Sequence, residues 1–176
     1  MIAGDPGPLP VTVAEAQAYL RIESGEEEAL LAGLLRSATG LCEAFTGQCL
    51  VARTVTERLQ AGAAWQRLSA TPVRSIDTVA PVGPGGAETP VQPVAYAIDI
   101  DRNGDGWVRL TGLPETLVTV GYSVGMAADG NGVPEPLRQG ILRLTAHMFN
   151  SRDGDSGEPP AAVTALWRPY RRMRLA

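Results

Sequence analysis

Residues Glu26 to Thr46 read EEEALLAGLLRSATGLCEAFT, and the spacing of their apolar positions decides the first half of the fold. Leu30, Leu31, Leu34, Leu35, Ala38, Leu41, Cys42 and Phe45 recur at three- and four-residue intervals, the stripe of a helix buried along one broad side. Three glutamates open the stretch, where the positive end of a helix dipole favours negative charge. Ser24, with Glu27 three positions on, predicts an N-terminal cap, and Gly47 a C-terminal stop. A helix over 26–46 follows.

Upstream, Thr12 and Glu15 have capping-box spacing and predict a shorter helix over 12–22, with Val13, Ala16, Ala18, Tyr19 and Leu20 on its apolar side. Pro6, Pro8 and Pro10 make residues 1–11 an extended leader. Downstream, the pattern changes to period two. Strands are expected within Val51–Leu59, Trp65–Leu68, Val73–Val82, Val94–Ile100, Trp107–Thr111 and Thr116–Tyr122, with Pro81 to Pro93 as a long hairpin loop. No helical stretch long enough for a crossover interrupts them, so they should pair antiparallel.

Pro134 and Pro136 suit the start of a third helix over 134–151, with Leu137, Ile141, Leu144, Thr145 and Met148 on one face. The expected fold class is α+β: a small helical core of three main helices, with an antiparallel β-rich insertion at about 50–123 between the second and third. Residues 12–152 would form a single domain, and 153–176 a linker and an extended C-terminal arm.

Composition narrows the function. A chain of 176 residues can bury about 70% of its unfolded surface, so it needs neither metal nor disulfide to fold. Hydrophobic content of 44% with 19% charged residues excludes a wholly disordered chain. A net charge of −4 argues against coating nucleic acid by global charge. All fifteen basic residues are Arg, which removes lysine Schiff bases and the phosphate-gripping lysine of a P-loop. No apolar run approaches the roughly 18–20 residues of a membrane span. Met1 to Pro10 lacks the features of a secretory signal, and two cysteines, Cys42 and Cys49, read as buried free thiols in a reducing compartment.

Several patterns imitate chemistry. Asp101, Asn103, Asp105 and Gly106 fall at positions 1, 3, 5 and 6 of a calcium loop, but Gly112 occupies position 12, where a bidentate carboxylate belongs. The same residues are those of a tight β-turn. His147, the single histidine, precedes Ser151 by one turn and Asp153 by six residues, yet one helix cannot fold back to build a triad. Gly83 to Gly86 lacks the strand–loop–helix setting of a phosphate cradle. No catalytic residue, metal ligand or cofactor is expected, and the protein reads as a non-enzyme.

The C-terminal stretch is the anomaly. Ala165 to Leu175 reads ALWRPYRRMRL and holds four arginines, with no acid after Glu158, so the tail carries +4 and the remainder −8. Trp167, Tyr170 and Met173 recur every third residue among the guanidinium groups. Arg, Trp and Tyr are the residue types of interface hot spots. Three readings stay open: a tail folded back on its own domain, a protein-docking arm, and a nucleic-acid contact.

The order of several segments resembles the head–tail connector (adaptor) proteins of tailed bacteriophages and gene transfer agents. It is carried by Val11-Thr12-Val13-Ala14-Glu15-Ala16-Gln17-Ala18-Tyr19-Leu20, Leu30-Leu31-Ala32-Gly33-Leu34-Leu35 and Glu43-Ala44-Phe45-Thr46-Gly47. Val118 to Gly125 leading into Val133-Pro134-Glu135-Pro136-Leu137, and the closing Leu166-Trp167-Arg168-Pro169-Tyr170-Arg171, continue it. The resemblance implies a structural protein of the capsid–tail junction, assembled in the bacterial cytoplasm. It implies a ring of about twelve subunits beneath the portal protein. A tail or stopper protein would dock on that ring, and DNA would pass through its lumen without specific binding. Trp167, Arg168, Tyr170, Arg171, Arg172 and Arg174 would form the portal-binding arm. Two other classes compete: a nucleic-acid-binding accessory protein acting through the arginine tail, and a hydrolase with a pocket at Asp99, Asp101, Asp105 or His147.

Overall fold

A computed structural model describes residues 2–4, 7–22, 27–83, 96–111, 117–151 and 159–172. The chain divides into two units: a strand unit of Met1–Gly7 with Ala52–Met126, and a helical unit of Pro8–Val51 with Ala127–Ala176. The fold is α+β, and its described strand pairs are antiparallel apart from one isolated parallel bridge, Val51 to Ala127.

The helical unit holds α1 (Val13–Leu20), α2 (Glu28–Thr46), α3 (Glu135–Asn150) and α4 (Ala161–Trp167). At the head of α1 the capping box forms as expected: the Glu15 N–H donates to Thr12 Oγ1 at 3.1 Å, and the Thr12 N–H donates to Glu15 Oε2 at 2.8 Å. Arg138 of α3 ion-pairs with Glu15 and donates through Nε to the Pro10 carbonyl at 3.1 Å, so the entry to α1 is tied to α3. Helices α2 and α3 pack together, and Leu31, Leu35, Ala38 and Cys42 of the one and Leu137, Ile141 and Leu144 of the other are buried. Ser24 lies outside the described residues, and α2 begins at Glu28 with no side-chain cap from Glu27.

In the strand unit, β1 (Ile2–Gly4), β2 (Arg53–Gln60), β7 (Leu117–Val124) and β4 (Val73–Pro81) form a four-stranded sheet in that spatial order. The leader thus contributes an edge strand, with Ile2 opposite Glu57 and Gly4 opposite Val55. A second sheet runs β3 (Gln66–Arg67), β6 (Gly106–Leu110), β5 (Tyr96–Ile100). Residues 84–93 of the expected hairpin loop lie outside the described residues. Val55, Val118, Val120, Tyr122 and Val124 are buried in the larger sheet. Beside them sits a buried carboxylate: Glu57 accepts from the Tyr122 hydroxyl at 2.8 Å, from the Ser69 N–H at 2.9 Å, and from the Ser69 hydroxyl. A buried polar group is tolerable when hydrogen-bond partners surround it, and these donors hold the loop after β3 against β2.

The expected extended arm is corrected. Residues 161–167 are helical, and Arg168–Tyr170 forms a 3-10 turn with Pro169 inside it. Pro160 supplies the helix start, and Val163 and Trp167, four residues apart, are both buried. Proline limits the helix to two turns without forbidding it.

Candidate functional site

The C-terminal segment is placed by three contacts within the helical unit. Trp167 is fully buried, with its indole against Gly140 of α3. A Cβ at position 140 would stand 2.8 Å from Trp167 Cδ1, so only glycine leaves room for the ring. Phe45, near the end of α2, packs on the same indole at 5.9 Å between centroids, tilted by 55°. The segment then returns over the C-terminus of α2. Gln48 Nε2 donates to the Tyr170 carbonyl at 2.6 Å, and the Arg172 N–H donates to the Thr46 carbonyl at 2.9 Å.

These contacts satisfy a helix end. The last carbonyls of α2 have no partner inside the helix. Gly47, at φ +69°, closes it in the left-handed conformation that glycine adopts without strain, and its N–H donates to the Glu43 carbonyl at 2.8 Å. The Arg172 N–H takes the Thr46 carbonyl. Arg171 stacks its guanidinium 5.6 Å from the Phe45 ring, near the negative end of the α2 dipole.

The six residues read as a docking arm therefore divide. Trp167 is an anchor inside its own chain. Arg168 and Arg171 are exposed, while Tyr170 and Arg172 are half-buried; Arg174 lies outside the described residues. Pro169 carries Arg168 past the helix end, leaving a short cationic ridge on a fixed base. Sequence reasoning missed the residues that make the base: Gly140, Phe45, Thr46 and Gln48. Gly140 was visible as a glycine within an apolar helix face, the signal of a close approach.

The other candidates serve the fold. Asp101 Oδ1 accepts from the Asn103 N–H at 2.8 Å and the Asp105 N–H at 3.0 Å, and Gly104 sits at φ +76°, which makes 101–105 the turn joining β5 to β6. Gly112 and Asp153 lie outside the described residues. His147 is half-buried near the end of α3. Cys42 and Cys49 are buried free thiols, and burial pushes the Cys42 thiol up to about 12, with Glu43 adding to the effect. Such a thiol is no nucleophile.

No family model and no curated protein matches this chain. Solved structures do. A chain in the neck of an empty gene transfer agent particle, computed with C6 symmetry, superposes with a TM-score of 0.80 at 27% identity, covering 100% of this chain and 97% of that one. The virion of a native gene transfer agent particle holds a chain with TM-score 0.77 at 25% identity, with the same coverage. The chain is thus similar over its whole length to chains of gene transfer agent particle necks. A third match, from the neck of a native gene transfer agent particle computed with C12 symmetry, has TM-score 0.75 at 25% identity, again over 100% and 97% of the two chains. These likenesses run through both units of the chain, so the resemblance read from short segments extends to the β section as well. No helix described here is long and apolar enough to cross a membrane.

Proposed function

We propose that this protein is a structural head-to-tail adaptor of a phage-like particle, resident in the virion neck and non-enzymatic. One observation carries the reading: the whole chain superposes on a chain from the neck of a gene transfer agent particle. The cyclic symmetry of the related particles supports assembly as a ring among other virion proteins. In the finer reading, about twelve copies sit under the portal protein, and a tail or stopper protein docks below. The −8 carried by the chain outside its tail suits a lumen that repels passing phosphates and lets the duplex slide.

Portal docking falls to the cationic ridge of Arg168, Tyr170, Arg171 and Arg172, with Arg174, outside the described residues, assigned to the same role from the sequence. Trp167 acts through them, by fixing the helix from which they project. The test mixes the protein with the portal of the same particle and images the product by negative-stain microscopy. Deleting the tail would also remove a core tryptophan, so the informative variant is Arg168→Glu with Arg171→Glu, both on exposed side chains. A ring added to one end of the portal by the native chain and lost with the variant supports both adaptor role and ridge. A ring with both proteins keeps the adaptor and moves the docking surface elsewhere. No ring at any concentration ends the reading.

A further inference from the structure

The second sheet presents a face that the tail reading does not use. In β6, Val108 and Leu110 are buried, so Trp107 and Arg109 share the opposite side. Register adds Arg67, opposite Trp107, and Ala97 and Asp99 of β5, opposite Arg109 and Trp107. Trp65, 43% exposed, lies under the Arg109 guanidinium at 5.0 Å. Two of the three tryptophans and two arginines thus meet on one face of three short strands.

The arginines are incompletely partnered. The Nε atoms of Arg67 and Arg109 are both enclosed and make no hydrogen bond. Arg67 Nε stands 3.7 Å from Asp105 Oδ1, an oxygen that already accepts from the Thr71 hydroxyl. Arg109 has no carboxylate partner among the described residues. The rest of the Arg109 guanidinium, on a half-buried side chain, is left with the Trp65 ring as its described contact. Stacked tryptophan and arginine are the residues that dominate protein interfaces.

The same chain carries the complement. At the start of α2, Glu27 and Glu28 have no cationic partner among the described residues, and Leu30 beside them is 55% exposed. A ring closes by pairing one face of each copy with a different face of the next. We infer that the Trp65–Arg67–Trp107–Arg109 face docks on a second copy of this chain, receiving the acidic, leucine-bearing start of α2. This rests on the ring reading above. Duplex DNA is the weaker occupant, since Asp99 and Asp105 flank the two arginines and so few cations release few counterions.

The chain has no lysine, so Arg109→Lys would place the sole side-chain amine of the protein at the interface while keeping its charge. Rings assembled on the portal from mixed ¹⁵N-labelled and unlabelled copies would be treated with a zero-length carbodiimide and read by mass spectrometry. The expected product joins position 109 of one copy to Glu27 or Glu28 of another. Charge reversal gives an independent readout: Glu27→Arg with Glu28→Arg raises the concentration needed for rings by about tenfold. Adding Arg67→Glu with Arg109→Glu in the same chain restores it. Rings that form normally, with position 109 linked only within its own copy or to another surface, overturn the inference and leave the adaptor role intact. Absence of rings from the native protein fails the adaptor reading itself, and this inference with it. Salt-sensitive retention of a duplex that Arg109→Glu abolishes would make the face a DNA surface and overturn the copy-to-copy assignment.

Discussion

At the scale of single residues, Gly140 and Trp167 form one contact viewed from two sides. Gly140→Ala puts a methyl group into the indole and should destabilise the protein by about 1–3 kcal/mol, seen in urea unfolding. Glu15 carries a different kind of consequence. The Thr12 N–H does most to hold its carboxyl below the ordinary 4.5, with the Thr12 hydroxyl and Arg138 adding to it against partial burial. A carboxyl that ionises more readily when folded stabilises the fold above its unfolded value, and this is lost as the pH falls through the folded one. The stability gap between the native chain and Glu15→Gln should therefore be full well above pH 4.5 and close as the pH is lowered below it. A gap unchanged across that range would contradict the assignment of Glu15 as cap and ion-pair partner.

Among elements, α4 shows how a short helix is stabilised by packing. Seven residues are too few to be helical alone, and the energy comes from burying Val163 and Trp167. Trp167→Ala should cost about 3–5 kcal/mol. Because Gly140→Ala acts through the same indole, the double variant should cost less than the two single losses together. Additive losses in a double-mutant cycle would show that the two residues do not share a contact. The sequence made α2 plain because its leucines repeat within a few turns, and α3 likewise through Leu137, Ile141 and Leu144. It concealed α4's burial, since the groove that receives Trp167 belongs to a helix 27 residues earlier. The face built by Trp65, Arg67, Trp107 and Arg109 was hidden for the same reason. Its halves are about 40 residues apart in sequence, and only strand register joins them.

For the whole molecule, composition and element order were enough for the α+β class and for the connector likeness, because both depend on patterns along the chain. The division into units was not visible there. The chain passes between them after Gly7, Val51 and Met126, and each passage joins residues whose partners lie far away in sequence. Such pairings leave no local periodicity to read.

That threading bears on how the polypeptide emerges from the ribosome. The strand that joins β2 to β4 in the larger sheet, β7, is the last of its four to be synthesised, and β1 and β2 precede it by more than fifty residues. The first two helices likewise wait for α3 and α4. Neither hydrophobic centre can close until the final third of the chain is available, after which the sheet and then the helices are completed in quick succession. Nascent chains halted before Leu117 should accordingly be cut readily by protease throughout. Chains extended past Val124 should gain protection in the strand unit first, and the helical unit should follow when Trp167 has cleared the exit tunnel. Synthesis itself thus sets the order in which a subunit becomes competent to join its particle.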